Sequence, residues 1–500
     1  MKKNPEFLSF RARTLAWLCL MVLCGGSATA EVLEDRWYTL KLGGGHVGSM
    51  HTVTESSEGR ISSRMMTNLT MKRGEMEIAI AIGMDWVQTT EGRAISARMS
   101  QDMSAMSQIV DWQFTDEGIK VTQGTGPSAI TKMQPVPKGK WLTPYSSFRY
   151  FIERAKAGDR EIVVKTMSPE IGPRLLDNTY TWKGEDEITI NGRTISTTIW
   201  EMVNSATPGV PSTLWVSKDG VMVVTETSLG GMGKMRMELA EKAATGQEVE
   251  AVEVFFKLMI EPDQPIDQPW SAQQAVMRVR PKGGTTLDLP STGYQSIAGV
   301  KDGHTTIVVD LDAPQPATAE EVADKAYLGQ SMMIDPKDEL ILELHQQAVA
   351  DLPANASRMQ RCEAMRSFVH DHITNKDLGT AFASASEVAK TRSGDCSEHG
   401  VLLAALLRAD GLPARVAHGL VYIPAFGEYE KGVFGWHMWS QALVDGNWVD
   451  LDATLPVMYS AGHVTTGTSS LEHGSGAEDM TSIISSLGNL EIDVLKVNYE

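Results

Sequence analysis

The sequence predicts an α+β chain in which antiparallel β modules precede a C-terminal α+β domain. Three observations predict it. Apolar residues alternate with a period of two in the N-terminal half, as where Met76, Ile78, Ile80 and Ile82 interleave with Glu77, Ala79 and Ala81. Asn191-Gly192 and Asp219-Gly220 sit between strand-like runs, each reading as a two-residue hairpin turn. Helical patterns concentrate beyond a proline-rich stretch, at Glu339–Asp351, Ser357–Thr374 and Ser384–Thr391.

Taken in chain order, residues 31–260 form a β-rich N-terminal domain, interrupted by one short helix near Phe148–Ala157. The glycines of LGGGHVG (42–48) and LGGMG (229–233) open no helix at phosphate-loop spacing and read as turns between strands. Nine methionines between Met50 and Met106 read as irregular core filling rather than as an adaptable binding surface. EPDQPIDQP (261–269) begins a linker and small β region, 261–315, with strands at QAVMRVR (274–280) and HTTIVVDL (304–311). Residues 316–500 form the last domain.

The first thirty residues stand apart. Lys2, Lys3, Arg11 and Arg13 precede a ten-residue apolar run, LAWLCLMVLC, and Ala28-Thr29-Ala30 offers a small-residue cleavage site. That is the layout of a secretory signal peptide, and ten apolar residues are too few for a bilayer core about 30 Å thick. The expectation is export to the periplasm or the exterior, with no membrane span in the mature chain. Cleavage removes four basic residues and Glu6, moving the net charge from −18 to −21. An acidic chain without a basic patch repels phosphate backbones, which argues against nucleic-acid binding. Four cysteines in 500 residues make no disulfide framework. Only Cys362 and Cys396 survive cleavage, and Cys362 reads as core in an amphipathic helix.

The chemistry lies between Ser384 and Pro456. In RSGDCSEHGVLLAALLRADGLPARV, Asp395 is placed as an N-cap with Glu398 three positions on, a capping box. Gly411 and Pro413 stop the helix. Cys396 then occupies the first turn, where the helix dipole favours a thiolate, provided Glu398 turns its carboxylate back toward the cap. His399 follows on the same helix and reads as support. FGWHMWSQALV (434–444) and NWVDLDATL (447–455) flank Asp445-Gly446. A two-residue turn there sets Gln441 opposite Asp450 and makes His437 and Asp452 diagonal neighbours about 7–8 Å apart at Cα. Asp452, rather than Asp450, is then the residue that orients His437. Cysteine, histidine and aspartate in this arrangement are the parts of a thiol triad, with the Cys396 backbone N–H as one oxyanion donor. Gln441, Trp439 and Trp436 are candidates for the second.

The motifs GDCSEH (394–399), WHMW (436–439) and WVDLDAT (448–454) resemble the transglutaminase-like superfamily, a papain-like thiol fold, in its secreted bacterial form. The resemblance implies a papain-like α+β core and assigns Cys396, His437 and Asp452 as the triad. It covers about 130 residues and says little of residues 31–260. No acidic cluster matches the calcium sites of animal transglutaminases, and the chemistry calls for no cofactor and no metal. The expected reaction is cleavage or transfer of a peptide-type amide through an acyl-thioester on Cys396. The partner would be a peptide or protein substrate, an envelope component among them. The rival expectation is a non-catalytic envelope-binding or structural protein that carries the same domain.

Overall fold

The computed structural model describes residues 30–499 apart from 74–75, 104–105, 125–128, 248, 254–257, 283–286, 377–382, 425–428 and 473–487. The signal-peptide reading, with Cys19 and Cys24, lies outside the described residues except for Ala30. The chain is mostly antiparallel sheet, β-rich at the N-terminus and α+β at the C-terminus.

Eight strands run as successive hairpins from Glu31–Leu42 to Ile130–Gln134, and six more from Glu161–Ser168 to Lys234–Ala240. The last of these pairs with the first, setting Tyr38 opposite Leu239, so both sets merge into one sheet. Asn191 and Gly192 both have positive φ, 50° and 74°, giving the expected two-residue turn between Ile190 and Arg193. The Asp219-Gly220 turn is longer than expected. The Gly220 N–H bonds the Ser217 carbonyl and the Ser217 N–H bonds that of Val221, both at 2.9 Å. Only Gly220 takes positive φ there, 85°, so a bulge shifts the register next to Trp215.

The helix Pro144–Lys156 spans the expected short helix and packs Phe151 against Tyr180 and Trp200, at ring separations of 4.2 and 5.1 Å. Of the early methionines, Met99 and Met103 are buried. Met50, Met65 and Met84 instead line a cavity of about 470 Å³ beside Phe148, so core filling accounts for only part of the set. That helix leaves this face of the sheet partly open.

A second sheet has the order Gln295–Lys301, His304–Asp310, Gln274–Pro281, Leu490–Asn498. Its third strand buries Ala275, Met277 and Val279 on one face. The C-terminal strand returns to this sheet, with Met277 opposite Val494. The segment expected as linker is packed into the structure. Ile266 is buried, Asp263 accepts the Val494 N–H at 2.7 Å, and Ile260 bridges to Phe434.

The third sheet runs Asn447–Leu451, Val433–Val444, Ala414–Ile423, His463–Ser469, and the buried helix Cys396–Ala409 packs on it. Three further helices, Glu339–Val349, Arg358–His372 and Ala385–Thr391, surround that helix. Cys362 is buried among them as expected, and burial pushes its thiol up to about 12. Met277→Ala is expected to cost about 2–5 kcal/mol, the usual range for emptying a fully buried site. A lower urea midpoint for the C-terminal unfolding transition would register it, whereas an unshifted midpoint would contradict the packing described.

Candidate active site

Cys396 opens its helix because Asp395 and Glu398 close the expected capping box. Asp395 Oδ1 accepts the Ser397 N–H, and Glu398 folds back to accept the Asp395 N–H, both at 2.9 Å. The other Glu398 oxygen accepts the Ala383 N–H at 2.9 Å. Burial first, and then the neighbouring Asp395 charge, push the Glu398 carboxyl up to about 8. A neutral Glu398 places no negative charge beside Cys396. Gly394 permits the fold-back, since at φ +153° a Cβ there would collide with Cβ and Cγ of Glu398. Every residue from Gly394 to Arg408 is buried except Cys396, whose thiol is free and partly exposed. The helix therefore presents one reactive group at an otherwise closed N-terminus.

His437 comes from the strand Val433–Val444. Asp445 and Gly446 make the two-residue turn with φ of 51° and 86°, and Gln441 stands opposite Asp450 as the register requires. The ladder stops at Leu451, and the Asp452 N–H leaves it for the Met458 carbonyl at 2.8 Å. Two side chains then reach along the diagonal. His437 Nε2 lies 2.6 Å from Asp452 Oδ2, and Trp439 Nε1 donates to Asp450 Oδ1 at 2.7 Å. Cys396 is also near enough for its charge to favour the protonated His437 ring. With Nε2 held by Asp452, Nδ1 is the nitrogen left for the thiol.

Asp452 is the electrostatic centre. Its Oδ2 meets His437 Nε2 and also His463 Nε2, the latter at 3.2 Å, while Oδ1 accepts the Thr454 N–H at 2.8 Å. Burial alone would raise this carboxyl; the charge and hydrogen bond of His437, with the bond from His463, outweigh it and hold the group well below its ordinary range. Burial likewise opposes a charged His437, yet the Asp452 charge, the bond to Asp452 and the nearby Cys396 raise it to about 10. The pairing with Asp452 thus favours the protonated form of His437. The ligand atoms of His437, Asp452 and His463 lie within 4.8 Å of one another, close enough to hold a metal ion in place of these hydrogen bonds.

Two expected oxyanion donors are already engaged. Gln441 Nε2 and Trp439 Nε1 both donate to Asp450 Oδ1 at 2.7 Å, and both side chains are buried. Their geometry makes them supports for the second carboxylate, because a donor spent on a buried charge is not free for substrate. Trp436 Nε1 is buried and meets no partner among the described residues. His399 points Nδ1 at the Asp395 carbonyl, 2.6 Å away; burial pushes its pKa down, so it is a neutral support.

Behind Asp450 lies a buried cation that joins three segments. Arg415 donates to Gln441 Oε1 at 2.9 Å, to Thr292 Oγ1 at 2.7 Å and to Glu321 Oε1 at 2.7 Å. Its guanidinium lies 3.8 Å from the Trp448 ring centroid. Tyr294 completes the shell by donating its N–H to Asp450 Oδ2 at 2.7 Å. Sequence reading missed Thr292, Tyr294 and His463. Their partners lie far along the chain, and no local spacing marks them.

The Glu398 carboxyl generates a pH signature. Between its ordinary 4.5 and about 8, the folded protein holds a proton that the unfolded chain has lost. Its contribution to stability therefore falls as pH rises through that window, by at most about 1.4 kcal/mol per unit. Urea midpoints between pH 5 and pH 8 should decline less steeply in Glu398→Gln than in wild type. Parallel slopes would show that Glu398 is ionised in the folded protein.

Residues 346–453 match the model of the transglutaminase-like superfamily. A search among curated proteins returned no match. Among solved structures, a β-barrel-like protein of a domain of unknown function from Brucella abortus is 11% identical, over 42% of this chain and 95% of its own, with a TM-score of 0.33. The periplasmic domain of TgpA from Pseudomonas aeruginosa is 16% identical, over 45% of this chain and 78% of its own, with a TM-score of 0.25. The family match contains Cys396, His437 and Asp452 in one segment, so what this chain shares with the transglutaminase-like superfamily lies within residues 346–453.

Proposed function

We propose that this chain is an exported thiol enzyme that forms an acyl-thioester at Cys396 and cleaves or transfers peptide-type amides. The observation that carries the reading is the buried 2.6 Å contact of His437 Nε2 with Asp452, on a ring whose charged form Cys396 at the helix N-terminus also favours. Export rests on the pattern of residues 1–30 and would appear as a mature N-terminus at Glu31.

In the proposed reaction, the Cys396 thiolate attacks the amide carbonyl carbon, forming a C–S bond and placing negative charge on the oxygen. The Cys396 N–H and Trp436 Nε1 would receive that charge. His437 gives its proton to the departing amine nitrogen as the C–N bond breaks. Water then attacks the thioester, losing a proton to His437; the C–S bond breaks, releasing the acid and restoring the Cys396 thiolate beside protonated His437. An incoming amine in place of water gives a new amide by the same steps. Asp452 keeps the imidazole oriented and its charge balanced throughout.

Trapping tests the reading most directly. Incubation with an envelope extract should leave an acyl group on Cys396, found by mass spectrometry of the tryptic peptide and absent from Cys396→Ala. On a peptide substrate identified this way, Asp452→Asn should lower kcat by up to about 10⁴, the loss seen when a triad histidine loses its orienting carboxylate. Trp436→Phe should lower it about 10²–10³ if its indole is the second oxyanion donor. Turnover that survives Cys396→Ala would sink the mechanism. A Cys396 that alkylates no faster than a free model thiol would favour the non-catalytic rival.

A further inference from the structure

His463 lies beyond the segment that matches the family model, on the strand His463–Ser469, and is fully buried. That strand pairs with Ala414–Ile423, setting His463 opposite Val421, while His437 stands opposite Gly419 across the other edge. Parity along these ladders puts both histidines on one face of the sheet, with Asp452 between them. Each ring nitrogen of His463 has an oxygen near it. Nδ1 lies 2.8 Å from the Ser460 carbonyl, and Nε2 lies 3.2 Å from Asp452 Oδ2. A carboxylate cannot donate, so the Asp452 contact needs an N–H on Nε2.

The ring is also clamped. Tyr459 stacks on it at 4.0 Å between centroids, and Trp439 meets it edge-on at 5.0 Å. Trp439 is itself tied to Asp450, so the orientation of His463 is fixed from both sides of the site.

We propose that His463 is a positioning residue, a second histidine whose Nε2–H on Asp452 fixes the carboxylate that orients His437. This rests on the thiol-triad reading above. The same Oδ2 takes both imidazoles, and the Thr454 N–H holds the other oxygen. Loss of the His463 donor leaves one lobe of a fully buried carboxylate unsatisfied and lets it turn away from His437. His463 does not touch the reacting atoms; it acts through Asp452.

Two substitutions separate this role from plain packing. His463→Phe keeps a ring between Tyr459 and Trp439 but removes the Nε2 donor. His463→Gln keeps an N–H within reach of Asp452 but removes the ring. The readout is the iodoacetamide rate at Cys396 in the full chain at pH 7, with the modified cysteine identified by peptide mass, beside Asp452→Asn as reference. H463F should be slower than wild type by about tenfold or more, the scale of one hydrogen bond to a charged group. H463Q should recover most of that loss. A packing role gives the reverse order, with H463F fast and H463Q slow, and overturns the proposal. So does H463Q falling as far as H463F. If D452N also reacts at the wild-type rate, the triad reading itself fails; if D452N is slow and H463F is not, only the role of His463 fails.

Discussion

The rest of the site depends on one buried anion. Asp452 has no exposure to water, and a carboxylate in that position is tolerated only if donors replace its hydration. Three N–H groups do so here, from His437, His463 and the Thr454 backbone. The anion in turn favours the charged form of His437, which burial alone would disfavour. Cys396 and His437, at the outer end of the line, are partly exposed, whereas Asp452 is not. Charge is thus stored in the interior and made available at one accessible sulfur.

A second buried carboxylate follows a different logic. Asp450 takes Trp439, Gln441 and the Tyr294 N–H, yet burial keeps its pKa above the ordinary value. Among the described residues no histidine bonds it, and it serves as a hub for packing. Arg415 sits behind Gln441 and reaches Thr292 and Glu321, which come from segments preceding the core. The small sheet is therefore structurally coupled to the site, and the C-terminal strand closes that sheet.

Much of this was legible in local sequence. Asp395 and Glu398 at capping-box spacing, ahead of an apolar run, are sufficient to start a helix at Cys396. Asp445-Gly446 between alternating runs is sufficient to set the register that pairs Gln441 with Asp450. Both are short-range effects, governed by backbone conformation and by hydrogen bonds within a few residues. Where local signals were ambiguous, tertiary context decided. The Asp219-Gly220 pair made a bulged turn because only its glycine took positive φ. The proline-rich stretch from 261 became packed structure because a strand more than 200 residues later supplies its partners.

The sequence by itself determined the fold class, the helix start that exposes Cys396, and the hairpin that brings His437 toward Asp452. Each follows from chain neighbours whose geometry leaves few alternatives. The tertiary structure alone decided how Asp452 is satisfied, because His463 reaches it across two ladders. It also decided which candidate donors are free. Gln441 and Trp439 are spent on Asp450, and Trp436 is not, a distinction that depends on how buried charges are shared between strands.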